Sequence, residues 1–123
     1  MSKTNKSSSS PALMQSEAVK KIALQALDDL KAENILVLDV HNYASFTDFM
    51  IFASGKSTRH VKSIANQVVE VAKKANLPPL GVEGDDVGEW VLIDLGDAVV
   101  HVMLPDTRQF YELEKLWGEE LAE

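Results

Sequence analysis

The sequence predicts a single α/β domain in which helices flank one mixed β-sheet. The length of 123 residues suits one compact domain. Hydrophobic residues make up 46% of the chain and charged residues 25%, which is typical of globular proteins. The predicted elements follow the order α-β-β-α-β-β-β-α, where a helix between strands implies a parallel crossover and a tight hairpin implies antiparallel pairing. We expect a flexible tail over residues 1–15 and the folded domain over residues 16–119.

Apolar residues define the first helix and the first two strands. They recur three and four residues apart over about residues 16–32, which predicts an amphipathic helix. Residues 35–40 form a nearly continuous apolar run, which is typical of a strand covered on both faces. Residues 48–53 form a second such strand before the chain turns at a glycine.

The second helix is predicted over residues 58–75. Ser57 or Thr58 can cap its start, because a hydroxyl oxygen accepts a hydrogen bond from a free backbone N–H. Two prolines within residues 76–79 end it, since proline cannot continue a helix. A short strand follows near residues 80–83.

A β-hairpin is predicted from residues 89–94 and 98–104. Gly96 and Asp97 form a suitable two-residue turn between them. Strand alternation then places one wholly aliphatic set of side chains on the core face. The other face carries a mixed set: Trp90, Leu92, Val99, His101 and Met103.

The last helix follows this hairpin directly. Pro105 ends the strand, and Asp106 is placed to cap the helix, with a glutamine three residues later in capping-box spacing. Gly118 is predicted to end the helix. Arg108 and Tyr111 have polar groups that suit the rim of an interface.

Composition and charge exclude several classes of function. The chain has no cysteine, which excludes a disulfide scaffold and a thiolate metal site. The net charge of −7 disfavours broad binding to nucleic-acid backbones and favours either a basic protein partner or simple solubility. No apolar run suits a membrane span, and the first residues lack a secretory core. We therefore expect a cytoplasmic protein with little direct nucleic-acid contact and no membrane association.

The turn between the second strand and the second helix permits two interpretations. Its Gly55-Lys56-Ser57 sequence could present N–H groups to a phosphate, but the upstream glycine of a Walker A loop is missing. No pair of carboxylates alternates along a strand to hold catalytic metal ions. The three histidines also lack metal-ligand spacing. Helix capping is favoured over phosphate binding, and we expect no metal or cofactor.

The residue types of the hairpin and the last helix indicate a contact patch for a partner protein. His101 interrupts an apolar strand, so it is either a core histidine with a hydrogen-bonding partner or part of a binding face. Tryptophan, methionine and arginine are enriched in interface cores. The predicted patch comprises Trp90, His101, Met103, Arg108 and Tyr111, with Trp90 as the expected hot spot.

A series of short segments in a particular order extends over about residues 17–117. It includes Thr47-Asp48-Phe49-Met50-Ile51, Ala53-Ser54-Gly55-Lys56-Ser57, Gly88-Glu89-Trp90-Val91, Val99-Val100-His101-Val102 and Arg108-Gln109-Phe110-Tyr111. In order and spacing, this series resembles the ribosomal silencing factor family, also called Iojap-like. The resemblance implies a nucleotidyltransferase-like fold without the catalytic carboxylates.

The resemblance also implies a function and a partner. Members of this family would bind ribosomal protein uL14 on the large ribosomal subunit and sterically block joining of the small subunit, which represses translation under nutrient limitation. Such a protein would not be an enzyme. The alternative is a nucleotide-binding or nucleotidyltransferase-type enzyme of the same fold, which the absence of a carboxylate pair disfavours. The sequence leaves open whether the free protein forms a homodimer.

Overall fold

The fold is taken from a computed structural model of the protein, which describes residues 11–111. The predicted order of helices and strands is confirmed. The elements are α1 (Pro11–Asp29), β1 (Glu33–Asp39), β2 (Phe49–Ser54), α2 (Thr58–Lys74), β3 (Gly81–Glu83), β4 (Trp90–Asp94), β5 (Ala98–Met103) and α3 (Pro105–Tyr111). The predicted tail lies largely outside the described residues, and so does the predicted end of the last helix at Gly118.

The five strands form one mixed sheet in the order β1-β2-β5-β4-β3, which confirms the predicted fold class. Strands β2 and β5 pair in parallel, whereas the other three neighbouring pairs are antiparallel. The strand that follows α2 does not pair with β2. Instead the chain passes through α2 to β3 at the far edge, and the antiparallel succession β3-β4-β5 then returns it to β2.

Both long helices have starts or ends that the local sequence explains. Helix α1 begins at Pro11, five residues before the predicted start, because proline is well suited to the first helical turn. It ends at Asp29, since Lys31 adopts a left-handed φ of 59° and the N–H of Ala32 donates to the carbonyl of Leu27 at 2.9 Å. Residues 11–15, predicted as tail, are therefore helical.

Helix α2 confirms its predicted cap and its predicted buried side. The Ser57 side chain accepts a hydrogen bond from the His60 N–H at 3.1 Å. Asn76, with a φ of 62°, closes the other end as Lys31 does in α1. The buried side of the helix consists of small and branched apolar residues: Val61, Ile64, Ala65, Val68 and Ala72.

The two faces of the sheet carry separate apolar clusters. Both α1 and α2 contribute to the larger cluster, in which they pack against one face of the sheet. That face is formed by Phe49, Ile51, Ala53, Val91, Ile93, Ala98, Val100 and Val102. The opposite face carries a smaller cluster, and none of the described side chains of α1 or α2 belongs to it. The predicted alternation of the hairpin is confirmed, because the aliphatic set and the mixed set lie on different faces.

Two predictions about element environment are wrong. The predicted cover of strand β1 is incomplete: Val37 packs against one cluster and Leu36 and Leu38 against the other, but none of its residues is fully buried. The strand lies at the edge of the sheet, and its Ile35 is 39% exposed. The central strand β2 is the fully buried one. Asp106 does not cap α3, because Pro105 is already its first residue and Leu104 accepts the Arg108 N–H at 3.0 Å. Asp106 instead supplies an acidic group to the first turn.

Candidate protein interface

The candidate interface lies on the sheet face that α1 and α2 do not cover. Two rows of paired residues cross this face from β4 through β5 to β2. One row comprises Trp90, Met103 and Ser54, and the other comprises Leu92, His101 and Phe52. The structure thus brings together three members of the predicted patch, because the hairpin register places Trp90 diagonally opposite His101.

Trp90 is held in place by a hydrogen bond and by ring contacts. Its indole N–H donates to Nδ1 of His101 at 3.1 Å. The rings of the two residues lie 6.0 Å apart between centroids. The imidazole of His101 in turn stacks on Phe52 at 5.0 Å with an interplanar angle of 15°. This series of contacts orients an indole that is itself only partly buried.

His101 is a core histidine with a hydrogen-bonding partner. Its exposed fraction is 4%, and burial lowers its pKa from 6.5 to about 4. The imidazole is therefore neutral at pH 7. Because Nδ1 accepts from the indole, the ring proton lies on Nε2. That nitrogen is buried and has no hydrogen-bond partner within the part of the chain that is described. A buried unpaired donor costs about 1–3 kcal/mol of folding free energy. Packing against Phe52 and the hydrogen bond from Trp90 offset this cost and hold His101 in place.

Burial divides the predicted patch into two kinds of residue. His101 and Met103 are buried, so a contact with a partner would reach them only through their neighbours. Trp90 and Arg108 are partly exposed. Nη1 of Arg108 donates to the Ser54 hydroxyl at 3.0 Å, which brings the start of α3 to the end of β2. The backbone of Tyr111 lies in α3, but its side chain is outside the described residues.

Gly84 fixes the path of the chain next to Trp90. Its φ is +85°, and a Cβ at this position would lie 2.1 Å from the Trp90 carbonyl oxygen. Only glycine permits both this conformation and this close approach. Exposed carboxylates flank Gly84 in the segment that leads to Trp90: Glu83 at the end of β3, and Asp85, Asp86 and Glu89 in the loop that follows. A strongly acidic segment therefore precedes Trp90 in the sequence.

Sequence reasoning missed two exposed aromatic residues near the same face. Tyr43 is 49% exposed and Phe46 is 60% exposed, and both lie in the loop between β1 and β2. Ala44 in this loop packs against the smaller cluster, which places the loop on the same side of the sheet. The strand register puts the loop where β2 begins, whereas Trp90 is aligned with Ser54 at the end of β2. The sequence offered a signal, because aromatic residues in a polar loop are candidates for contact.

The turn before α2 has a structural role. The N–H of Lys56 donates to Nδ1 of His60 at 2.9 Å, and the N–H of Gly55 donates to the Met103 carbonyl at 3.0 Å. These groups already have partners, which supports capping over phosphate binding. Among the described residues there is no group of three or more acidic, histidine or cysteine side chains that could hold a metal ion.

The fold and this surface define an α/β protein with a mixed five-stranded sheet and a supported tryptophan on one face. A family model described as ribosomal silencing factor during starvation matches residues 13–123. The chain belongs to this ribosomal silencing factor family, as the sequence resemblance indicated. Members of the family are named for a regulatory role rather than for catalysis.

Individual relatives agree with this assignment. The ribosomal silencing factor of Chromobacterium violaceum is 46% identical over 105 residues, which cover 85% of this chain and 86% of the relative. A crystal structure of a protein from the same organism has a TM-score of 0.81 at 46% identity and covers 83% of this chain and 85% of that one. A mouse protein named mitochondrial assembly of ribosomal large subunit protein 1 is 39% identical over 89 residues, which cover 70% of this chain and 39% of the mouse protein.

The described helices differ from membrane spans. None of those within residues 11–111 combines the length and the apolar character that crossing a bilayer requires.

Proposed function

We propose that this protein binds ribosomal protein uL14 on the large ribosomal subunit and sterically blocks joining of the small subunit, which represses translation under nutrient limitation. The mechanism makes and breaks no bond, so the protein acts as a cytoplasmic binding module and not as an enzyme. Family membership supports a ribosomal role, and the name of the mouse relative links that protein to the large subunit. A homodimer of the free protein is compatible with this role.

The observation that carries the proposal is the supported indole of Trp90. Its hydrogen bond to His101 restricts its rotation, so little conformational entropy is lost when a partner covers it. Aromatic residues with a polar group are the usual hot spots of interfaces, and those on rigid strands bind most precisely. Trp90 is partly exposed and lies in the same row of the sheet as Ser54, to which Arg108 donates a hydrogen bond, so it can serve as an anchor.

Charge supports a basic partner for this face. The chain carries 19 acidic and 12 basic residues, and four exposed carboxylates lie in residues 83–89, just before Trp90. Ribosomal proteins that contact RNA are rich in lysine and arginine, so an acidic segment beside the anchor favours their approach. We expect basic groups of the partner to meet Glu83, which is exposed, and Asp94, which is partly buried, together with Glu112 and Glu114, which are outside the described residues.

Sedimentation with separated ribosomal subunits tests this proposal. We expect the protein to pellet with large subunits and to remain in the supernatant with small subunits or with intact joined ribosomes, because the joined small subunit covers the site. Purified uL14 should compete for the protein. Equal pelleting with both subunits, or no competition by uL14, would contradict the proposed partner.

Salt should slow the association with large subunits more than it alters dissociation. Exposed charges are screened over about 10 Å at 0.1 M salt, so steering by the acidic loop weakens as salt rises. We expect the association rate measured by stopped flow to fall roughly tenfold between low and physiological salt. The variant Asp85→Asn/Asp86→Asn should show a smaller change. An association rate that does not respond to salt would exclude charge steering.

A further inference from the structure

The outer side of α2 differs in charge from the rest of the protein. Residues 56–74 contain five basic residues and one acidic residue, whereas the whole chain contains 12 basic and 19 acidic residues. The prediction of little nucleic-acid contact assumed that charge is spread evenly. The structure instead concentrates positive charge on one helix.

Helical spacing places these basic groups on a single exposed stripe. Arg59, Lys62, Lys73 and Lys74 project from the side opposite the buried residues of α2, together with the polar Ser63 and Asn66. All of these side chains are exposed. At 1.5 Å of rise per residue, the stripe extends about 22 Å from Arg59 to Lys74. We name these six residues the α2 stripe.

The cations of the α2 stripe are not neutralised within the described part of the chain. The ion pairs found there join Lys20 to Glu17, His41 to Asp39 and Lys56 to Glu33, and none uses a stripe residue. A shallow depression of about 350 Å³ along the stripe is lined by polar side chains: Thr58, Arg59, Lys62, Ser63 and Asn66. Acidic groups also border the stripe: Glu70 lies within it and Asp85 lies at its margin beside Lys62.

We propose that the α2 stripe binds the phosphate backbone of RNA. A row of exposed lysine and arginine side chains on one helix is the electrostatic pattern that phosphates recognise, and hydroxyl and amide groups between them can bond to phosphate or ribose oxygens. RNA is the polyanion present wherever a ribosomal factor acts, and family membership places this chain among such factors. Because α2 packs on the sheet face opposite Trp90, RNA and the protein partner could be bound at the same time.

Fluorescence anisotropy with a labelled, unstructured RNA of 20 nucleotides (on the order of one binding site) tests the stripe. The full-length protein should bind with a dissociation constant of roughly 10⁻⁴–10⁻⁶ M, and log affinity should fall against log salt with a slope near −3 for about four phosphate contacts. The variant Arg59→Glu/Lys62→Glu should weaken binding at least about tenfold and make the slope shallower. Lys73→Gln/Lys74→Gln should act in the same direction.

A matched control separates the stripe from net charge. Lys21→Glu/Lys31→Glu alters the total charge by the same amount as Arg59→Glu/Lys62→Glu but lies on exposed positions outside α2. It should leave RNA affinity within about twofold of the original, while Asp85→Asn should strengthen binding. Circular dichroism confirms that each variant is folded before its affinity is compared.

Three results would overturn the proposal. They are no binding of RNA by the original protein at 50 mM salt, an equal loss in the Lys21→Glu/Lys31→Glu control, and displacement by polyglutamate as effective as displacement by unlabelled RNA at equal charge. The last result would assign the stripe to an acidic protein. Because the probe is free RNA, the outcome does not depend on uL14, so failure here is distinguishable from failure of the proposed function.

Discussion

Trp90→Ala should weaken binding to the large ribosomal subunit by about thirtyfold or more while the domain stays folded. A tryptophan at the centre of an interface contributes at least about 2 kcal/mol on truncation, which corresponds to roughly thirtyfold in the dissociation constant at 25 °C. Trp90 is partly exposed, so it retains surface for a partner, and its contacts with His101 hold that surface in one orientation. Equilibrium binding to purified large subunits measures the loss.

The same substitution also removes packing, so stability must be measured beside affinity. A fully buried tryptophan would cost about 3–5 kcal/mol of folding free energy on truncation, whereas partial burial predicts a smaller loss. Leu24→Ala is a suitable control, because Leu24 is also partly buried but packs against the opposite face of the sheet. It should lower stability without lowering affinity.

Trp90→Phe separates the hydrogen bond from the ring. Phenylalanine keeps an aromatic ring on the same strand but cannot donate to Nδ1 of His101. We expect an affinity between those of the original protein and Trp90→Ala. If Trp90→Ala binds large subunits normally, or if Leu24→Ala loses as much affinity, Trp90 is not the anchor and the proposed interface is wrong.

The hairpin was predictable because its register follows from one turn. With Gly96 and Asp97 at the turn, alternation assigns every side chain of β4 and β5 to a face, and the N–H of Leu95 indeed bonds to the Ala98 carbonyl at 2.9 Å. The diagonal pairing of Trp90 with His101 follows from the same count. Local rules of this kind operate over a few residues, so a single sequence contains all of the information they need.

Strand order was less predictable because it depends on contacts between distant residues. An apolar run such as residues 35–40 does not distinguish an edge strand from a central one. Strand β1 has β2 as its single neighbour in the sheet, yet apolar residues on both of its faces pack against the two clusters. The pairing of β2 with β5 joins segments separated by α2 and two strands. The hydrogen bond from Arg108 to Ser54 depends on that pairing and was therefore missed.

The charge of α2 illustrates a different limit. Net charge is a property of the whole composition, whereas a partner meets a surface. The helical period already places Arg59, Lys62 and Lys73 on one side, but only the structure shows that this side is exposed and lies across the sheet from Trp90. A protein with a net charge of −7 can therefore still present a basic stripe, although its acidic segment borders that stripe where Asp85 lies beside Lys62.

Acid should destabilise the domain through His101, and replacing this residue should remove most of the effect. Burial lowers the pKa of His101 in the folded state to about 4, against 6.5 for an unperturbed histidine. The unfolded state thus binds more protons between these two values. The contribution to stability is complete above about pH 6.5 and is lost as pH falls towards 4, with a total on the order of 3 kcal/mol.

Urea unfolding at several pH values between 7 and 4.5 measures this loss for the original protein and for His101→Gln. Glutamine does not titrate, yet its carbonyl can still accept the Trp90 N–H. Other groups, including the exposed Asp39–His41 pair, contribute equally to both proteins and cancel in the difference. The free energy of unfolding should therefore fall more steeply with acid in the original protein, because protonation of Nδ1 removes the acceptor of the indole and places a charge against Phe52. Parallel curves for the two proteins would show that His101 is protonated as easily in the folded state as in the unfolded one.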